Sequence, residues 1–218
     1  MSRERNEREC VDMQTDRNEN RAVLRGVAAA EPEVSHESHG TRYFTFPLAV
    51  RRLSGSEDCL NVIVPEGLLS ECPVRRGETL EVEGEVRSFN NKSGQGSRLV
   101  ITLYARSLTR SSKEPYNALT LSGVLCKSPV FRRTPLGREI CDLMLAVNRR
   151  YGRCDYLPCI AWGALAQRCA AMSVGDRLSL EGRLQSRTYK KVVDGREEER
   201  TAFEVSVMRL AQLGEDGA

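Results

Sequence analysis

The chain repeats itself. The segment "NRAVLRGVAAAEPEVSHESHGTRYFTFPLAVRR", residues 20–52, lies over "NALTLSGVLCKSPVFRRTPLGREICDLMLAVNR", residues 117–149, without a gap at an offset of 97. Asn20 falls on Asn117, Leu24 on Leu121, Gly26 on Gly123, Pro32 on Pro129 and Gly40 on Gly137. Val50 then falls on Val147 and Asp58 on Asp155; after a one-residue shift "RRGETLEVEGEVRS" lies over "SVGDRLSLEGRLQS". Self-similarity at a fixed offset identifies a tandem duplication. The expected organisation is a tail over residues 1–19, a first domain over 20–108 and the linker "TRSSKEPY" over 109–116. A second domain over 117–213 and a short end over 214–218 complete it.

Each repeat is written in strands. "YFTFPLAV", "CDLMLAV", "TLEVEGEV", "RLSLEGRL", "LVITLYA" and "FEVSVMRL" alternate apolar with polar residues, the period of a half-buried strand. A short helix is expected between the third and fourth strands; in the second repeat it is "ALAQRCAAM", rich in good helix formers. Gly84 and Gly182 fall inside the fourth strands, where a glycine marks a bulge or a barrel corner. Five strands with a helix between the third and fourth is the plan of the OB fold. The expected class is all-β with short helices, in two tandem five-stranded Greek-key barrels.

Composition excludes several classes. The chain is 40% hydrophobic and 29% charged, an ordinary globular balance, and holds no apolar run long enough to span a membrane. The N-terminal "MSRERNEREC" has no apolar segment behind it, so it is not a secretory signal. The first 20 residues carry 4 basic and 6 acidic groups with little apolar content, and are expected to be disordered. Eight cysteines include no C-x-x-C pair, and several sit inside apolar runs such as "LPCIAW", so reduced structural thiols in a cytoplasmic protein are expected. The two histidines, His36 and His39, fall in "EVSHESHG", which has the composition of a polar loop. No phosphate loop or catalytic constellation is present, so neither an enzyme, nor a metal site, nor a cofactor is expected.

Charge divides the repeats unequally. Residues 20–108 hold 11 Lys+Arg against 11 Asp+Glu; residues 117–213 hold 16 against 10. The surplus clusters in "FRRTPLGR", "NRRYGR" and "RTYKK", interleaved with Phe131, Tyr151 and Tyr189. Cations along a phosphate backbone, with aromatics on which bases stack, suit single-stranded nucleic acid. Arg132, Arg133 and Arg138, Arg149 and Arg150, Arg183 and Arg187, and Lys190 and Lys191 are the candidate phosphate contacts. Trp162, the only tryptophan, is either a core residue or an exposed plate on composition alone.

The second repeat resembles the bacterial single-stranded DNA-binding proteins. The resemblance lies in "NALTLSGVLCKSPVFRRTPLG", "LMLAVNRR", "DYLPCIAWGALAQRC" and "SVGDRLSLEGRLQSRTYKK". It implies stacking of bases on Trp162, just before the helix-leading Gly163, on Tyr156 six residues earlier, and on Tyr189 after the fourth strand. Tyr151 falls near a further stacking position. The implied function is to bind and protect single-stranded DNA in replication, recombination or repair, with replication or repair proteins as partners. The first repeat departs from this pattern: Pro65 stands in the place of Trp162, Leu60 near that of Tyr156 and Asn91 in that of Tyr189. Phe89 and Tyr104 remain, Phe89 being equally suited to a core, and Lys92 and Arg98 lie in the loop "FNNKSGQGSR". This repeat is expected to bind weakly or to serve in assembly. The chain stops at "LGEDGA" without the family's acidic, apolar-ended tip.

The same fold also suits a primosome-type or RNA-binding accessory protein, or a protein-interaction module. Relatives with two barrels per chain imply a homodimer. "FTFPLAV" and "LVITLYA" in the neutral first repeat are the expected contact surface.

Overall fold

Alternation in the sequence becomes alternation in burial. Along β1 (Asn20–Ala28), Ala22, Leu24 and Ala28 are buried while Arg21 and Val27 face water. The computed structural model describes residues 19–91, 99–149, 152–193 and 196–213. The expected N-terminal tail, Glu19 excepted, and the five-residue end therefore lie outside the described residues. So do Lys92, Arg98, Arg150, Tyr151 and the side chain of Lys191.

The first half continues with β2 (Glu33–Ser38), β3 (Thr41–Arg51), β4 (Glu57–Pro65), α1 (Glu66–Glu71), β5 (Thr79–Asn90) and β6 (Leu99–Arg110). The second half is β7 (Tyr116–Leu125), β8 (Val130–Arg133), β9 (Glu139–Asn148), β10 (Cys154–Trp162), α2 (Ala164–Ala170), β11 (Arg177–Val193) and β12 (Arg196–Leu213). Neighbours run β2-β3-β4-β6-β5-β1 in the first half and β7-β11-β12-β10-β9-β8 in the second. Each half closes on itself, β1 against β3 at Val27–Ala49 and β7 against β9 at Val124–Ala146. These closing pairs are 97 residues apart, so the offset of the sequence repeat is kept in the register that closes each barrel.

Each barrel is filled by strand side chains. Leu24, Phe46, Leu48, Leu60 and Leu103 are buried in the first, and Leu121, Leu145, Leu157, Leu178 and Leu184 in the second. The apolar residues of "FTFPLAV" and "LVITLYA" belong to this core: Phe46, Leu48, Val50, Ile101 and Leu103 point inward. They are not available as a contact surface between chains, which corrects the patch named above. The outer side of the same sheet carries cross-strand ion pairs instead, Arg21 with Glu83 at 2.7 Å and Arg106 with Glu85 at 3.0 Å.

Two sequence expectations change. Each half has six strands rather than five, because β2 and β8 pair with β3 and β9 as short outer strands. Their residues are almost all exposed, so neither face had an apolar partner to impose alternation. The histidine segment is consequently a hairpin. His36 lies in β2 opposite Tyr43, and His39 (φ 50°) and Gly40 (φ 73°) form the two-residue turn. Positive φ at both central positions is what a tight hairpin turn requires.

The glycines of the fourth long strands do mark bulges, with register shifts at Glu83/Gly84 and Glu181/Gly182. A β-carbon at either position would be driven into a carbonyl oxygen of the partner strand, that of Tyr104 or of Ser206. Only glycine fits there.

The barrels join through β1 and β7, which pair antiparallel from Asn20–Leu121 to Arg25–Tyr116. At the centre Ala22 lies opposite Leu119, its own duplicate, so a local two-fold axis passes between them. Asn20 and Asn117 repeat one further contact. Each side chain bonds both backbone groups of a fourth-strand residue, Val86 at 2.9 and 2.8 Å and Leu184 at 2.6 and 3.0 Å.

Candidate nucleic-acid interface

Strand register sorts the candidate residues by face. On β10, Leu157, Cys159 and Ala161 point into the core, so Tyr156, Pro158, Ile160 and Trp162 share the outer face. Tyr156 is 51% exposed and Trp162 38%, whereas Ile160 between them is buried. Six residues of strand separate the two rings by about 20 Å, enough to hold different bases. Gly163 explains the placement of Trp162: its φ of 56° and ψ of −127° turn the chain abruptly into α2, leaving the indole at the rim of the sheet.

The outer face extends across four further strands. Arg132 on β8 and Trp162 on β10 both lie opposite Ile140 on β9, one row across three strands. Ile160 lies opposite Ser206 on β12, and Ser206 opposite Arg183 on β11. Alternate residues along β11 then add Arg187 and Tyr189, with the Arg187 guanidinium 5.6 Å from the Tyr189 ring centre. Trp162, Tyr156, Arg132, Arg183, Arg187 and Tyr189 thus occupy one continuous face. "RTYKK" is part of this long strand, not a strand end.

Other candidates lie elsewhere. Phe131 is 41% exposed but opposite Cys141, on the core-facing side of the register, away from Trp162. Arg133 lies on the same side as Phe131, bonded to Glu139 at 2.9 Å. Lys190 alternates with Tyr189 and pairs with Glu197 at 2.9 Å. Arg138 is exposed in the turn between β8 and β9. On the outer face, the hydrogen bond from Arg132 to Asp142 at 2.7 Å raises the guanidinium pKa above its ordinary value. Such exposed pairs contribute little stability.

Arg149 has a different task. Asp155, completely buried, accepts hydrogen bonds from Arg149, from Arg87 at 3.3 Å and from the backbone N–H of Ser88 in the first barrel. Arg149 also donates to the Ser88 carbonyl at 3.0 Å, and the Ser88 hydroxyl accepts the Tyr156 N–H at 2.8 Å. The duplicate mirrors it. Buried Asp58 accepts from Arg52 and from the Ser186 N–H at 2.8 Å. Arg52 reaches the Ser186 carbonyl at 3.3 Å, and the Ser186 hydroxyl accepts the Cys59 N–H at 3.1 Å. Each barrel therefore grips the fourth long strand of the other. The arrangement holds Tyr156 at one end of the outer face and Ser186, next to Arg187, at another.

The same geometry corrects two first-repeat assignments. Cys59, not Leu60, is the counterpart of Tyr156, because Leu60 is buried in the core. Phe89 is 49% exposed and is no core residue. Cys141, Cys159 and Cys169 of the second barrel are packing groups, whereas Cys154 is exposed; burial pushes the Cys159 thiol up, and that of Cys169 to about 11.

Two closed barrels, each carrying a helix after its fourth strand, define a tandem OB-fold protein. The profile of the Single-strand binding protein family matches residues 116–212. Single-stranded DNA-binding protein 2 of Chlorobaculum tepidum is 32% identical over 107 residues, covering 44% of this chain and 70% of that protein. The single-stranded DNA-binding protein of Clostridium tetani is 35% identical over 81 residues, 34% of this chain and 56% of the relative. The chain belongs to the single-strand binding protein family. It spans about half the length of several curated relatives that it matches. The wild-type single-stranded DNA binding protein of Thermus aquaticus shares the fold of both halves, at a TM-score of 0.76 and 22% identity over 93% of this chain and 97% of that one.

Proposed function

We propose that this protein binds single-stranded DNA without marked sequence preference, through the outer face of its second barrel. The observation that carries the reading is the lone tryptophan, exposed at the end of β10 on one face with Tyr156 and in one row with Arg132. Trp162, Tyr156 and Tyr189 stack bases; Arg132, Arg183 and Arg187 follow the phosphates. The protein protects single strands during replication, recombination or repair in the cytoplasm, by binding rather than by catalysis. Among the described residues no helix is long and apolar enough to cross a membrane.

Titration with oligothymidine is expected to quench the fluorescence of Trp162, and the affinity to fall with salt at a slope near −0.7 per phosphate neutralised. Arg132→Ala should flatten that slope, whereas Lys190→Ala, off the face, should leave it unchanged. No quenching together with no shift in gel mobility would refute the reading.

We also infer a homodimer, supported by the two barrels in this chain, since two such chains together present four barrels. Light scattering is expected to give roughly twice the chain mass of 24.4 kDa. A monomer at micromolar concentration would rule this out.

A further inference from the structure

We propose that the first barrel carries a second base-stacking platform, made of His36, Tyr43, Tyr104 and Arg106. The proposal rests on the reading of the second barrel given above. At the positions matching Trp162, Tyr156 and Tyr189 the first repeat has Pro65, Cys59 and Asn91, so by position it looks stripped of aromatics. The structure shows aromatics on neighbouring columns of the same outer face.

His36 and Pro65 both lie opposite Tyr43, in the row that corresponds to Arg132, Ile140 and Trp162. Tyr104 lies opposite Ile63, where the second barrel has Ser206 opposite Ile160. The rings form a ladder. His36 and Tyr43 stack with centres 4.8 Å apart and planes 12° apart, and Tyr104 follows at 5.7 Å. Arg106 extends it, with its guanidinium 5.0 Å from the Tyr104 ring centre.

Core packing does not require this ladder. The barrel interior is already filled by Leu48, Leu60, Val62 and Leu103, while His36 and Arg106 are exposed and both tyrosines reach the surface. Its orientation is fixed in advance. The Tyr104 hydroxyl donates to that of Tyr43 at 3.1 Å, and Glu85 holds Arg106 at 3.0 Å. Burial and that hydroxyl contact raise the Tyr104 pKa to about 12. Preorganised rings with a flanking cation are what sequence-tolerant stacking uses. With no net charge in the first repeat, the platform contributes stacking more than electrostatic attraction.

A strand can reach it from the second barrel. A groove between the barrels is bordered by Asn61 and Val100 on one side and by Arg200 and Thr201 on the other. Arg200 lies opposite Tyr189 of the first platform. Val100 lies four residues before Tyr104 on β6, on the same face. The occupant of the ladder is therefore the continuation of the single strand already seated on Trp162.

The test uses the full chain and two oligothymidines, one of about 8 nucleotides, within reach of a single barrel, and one of about 35, long enough for two. Trp162 quenching reports binding of both. Tyr43→Leu with Tyr104→Leu removes the rings while keeping apolar bulk. His36→Ala, on an exposed outer strand, serves as a second variant with no core to disturb. Both variants are expected to bind the short oligomer as the parent does. They should bind the long one more weakly, by roughly tenfold for the double variant, and occlude a shorter length of it. Equal affinity for the long oligomer, with short-oligomer binding intact, would overturn the platform and leave the second-barrel reading standing. Loss of the short oligomer as well would also count against it, because the defect would not be confined to the first barrel. Failure of the parent to bind either length would overturn both readings.

Discussion

Replacing Asp155 with alanine is expected to destabilise the protein by about 3–5 kcal/mol, the cost of breaking a buried ion pair by deleting one partner. The carboxylate is fully enclosed, and its removal leaves the half-buried Arg149 guanidinium without a carboxylate and the N–H of Ser88 without its acceptor, while Arg87 keeps Glu85. For a chain of this size the melting midpoint should drop by roughly 6–20 °C. Asp155→Asn keeps an acceptor for Ser88 while losing the charge, and should fall between the parent and the alanine variant. Because Ser88 also holds the Tyr156 N–H, DNA affinity should decline in the same series even where the protein remains folded. The duplicate, Asp58→Ala, should show a similar thermal loss, since its contacts are the same in kind. A loss below about 1 kcal/mol at both sites, within the range of exposed pairs, would show that the clamp does not hold the barrels together.

Trp162→Ala should have the opposite profile. Each stacked base contributes about 1–3 kcal/mol, so affinity for oligothymidine should fall by roughly fivefold to 150-fold. The melting midpoint should barely move, because the indole is 38% exposed and ends its strand. Ile160→Ala, two residues earlier on the same face, is the control: Ile160 is buried, and a cavity there should cost stability. If Trp162→Ala unfolds the chain as Ile160→Ala is expected to, the ring is a packing group and the interface lies elsewhere.

These two sites differ in how visible they were before the fold was known. Local signals carried the repeats, the barrels and the bulges at Gly84 and Gly182, since alternation and a misplaced glycine are written in neighbouring residues. The exposure of Trp162 is legible only through the family resemblance, since composition leaves the ring open between core and plate. The clamp was not legible. Asp58 and Asp155 recur at matched positions, which marks them as structural, but Asp58 meets Ser186 across 128 residues of chain. Nothing local announces that contact, and so by sequence Arg149 reads as a phosphate contact. Phe131 and Arg132 are neighbours in sequence on opposite faces, and only the pairing with Cys141 and Ile140 tells them apart. The outer strands β2 and β8 escaped because residues wet on both faces show no period. The His36–Tyr43–Tyr104 ladder escaped because position-by-position comparison looks only at the columns that the second repeat uses.

The ladder between β1 and β7 reaches beyond architecture. Two free copies of one barrel meeting about such an axis would separate on dilution, and every substitution would appear in both. Here residues 111–115 tether the halves, pinned by Ser111 to Thr79 at 2.9 Å and by Arg25 to Glu114 at 2.9 Å. A short tether holds its two ends at an effective concentration on the order of millimolar, so this pairing does not depend on how much protein a cell contains. Each half is also free to mutate without imposing the change on its twin. One barrel can gather arginines and a tryptophan while the other stays neutral and moves its aromatics one column over. Fusion has turned a symmetric contact into a licence for asymmetry.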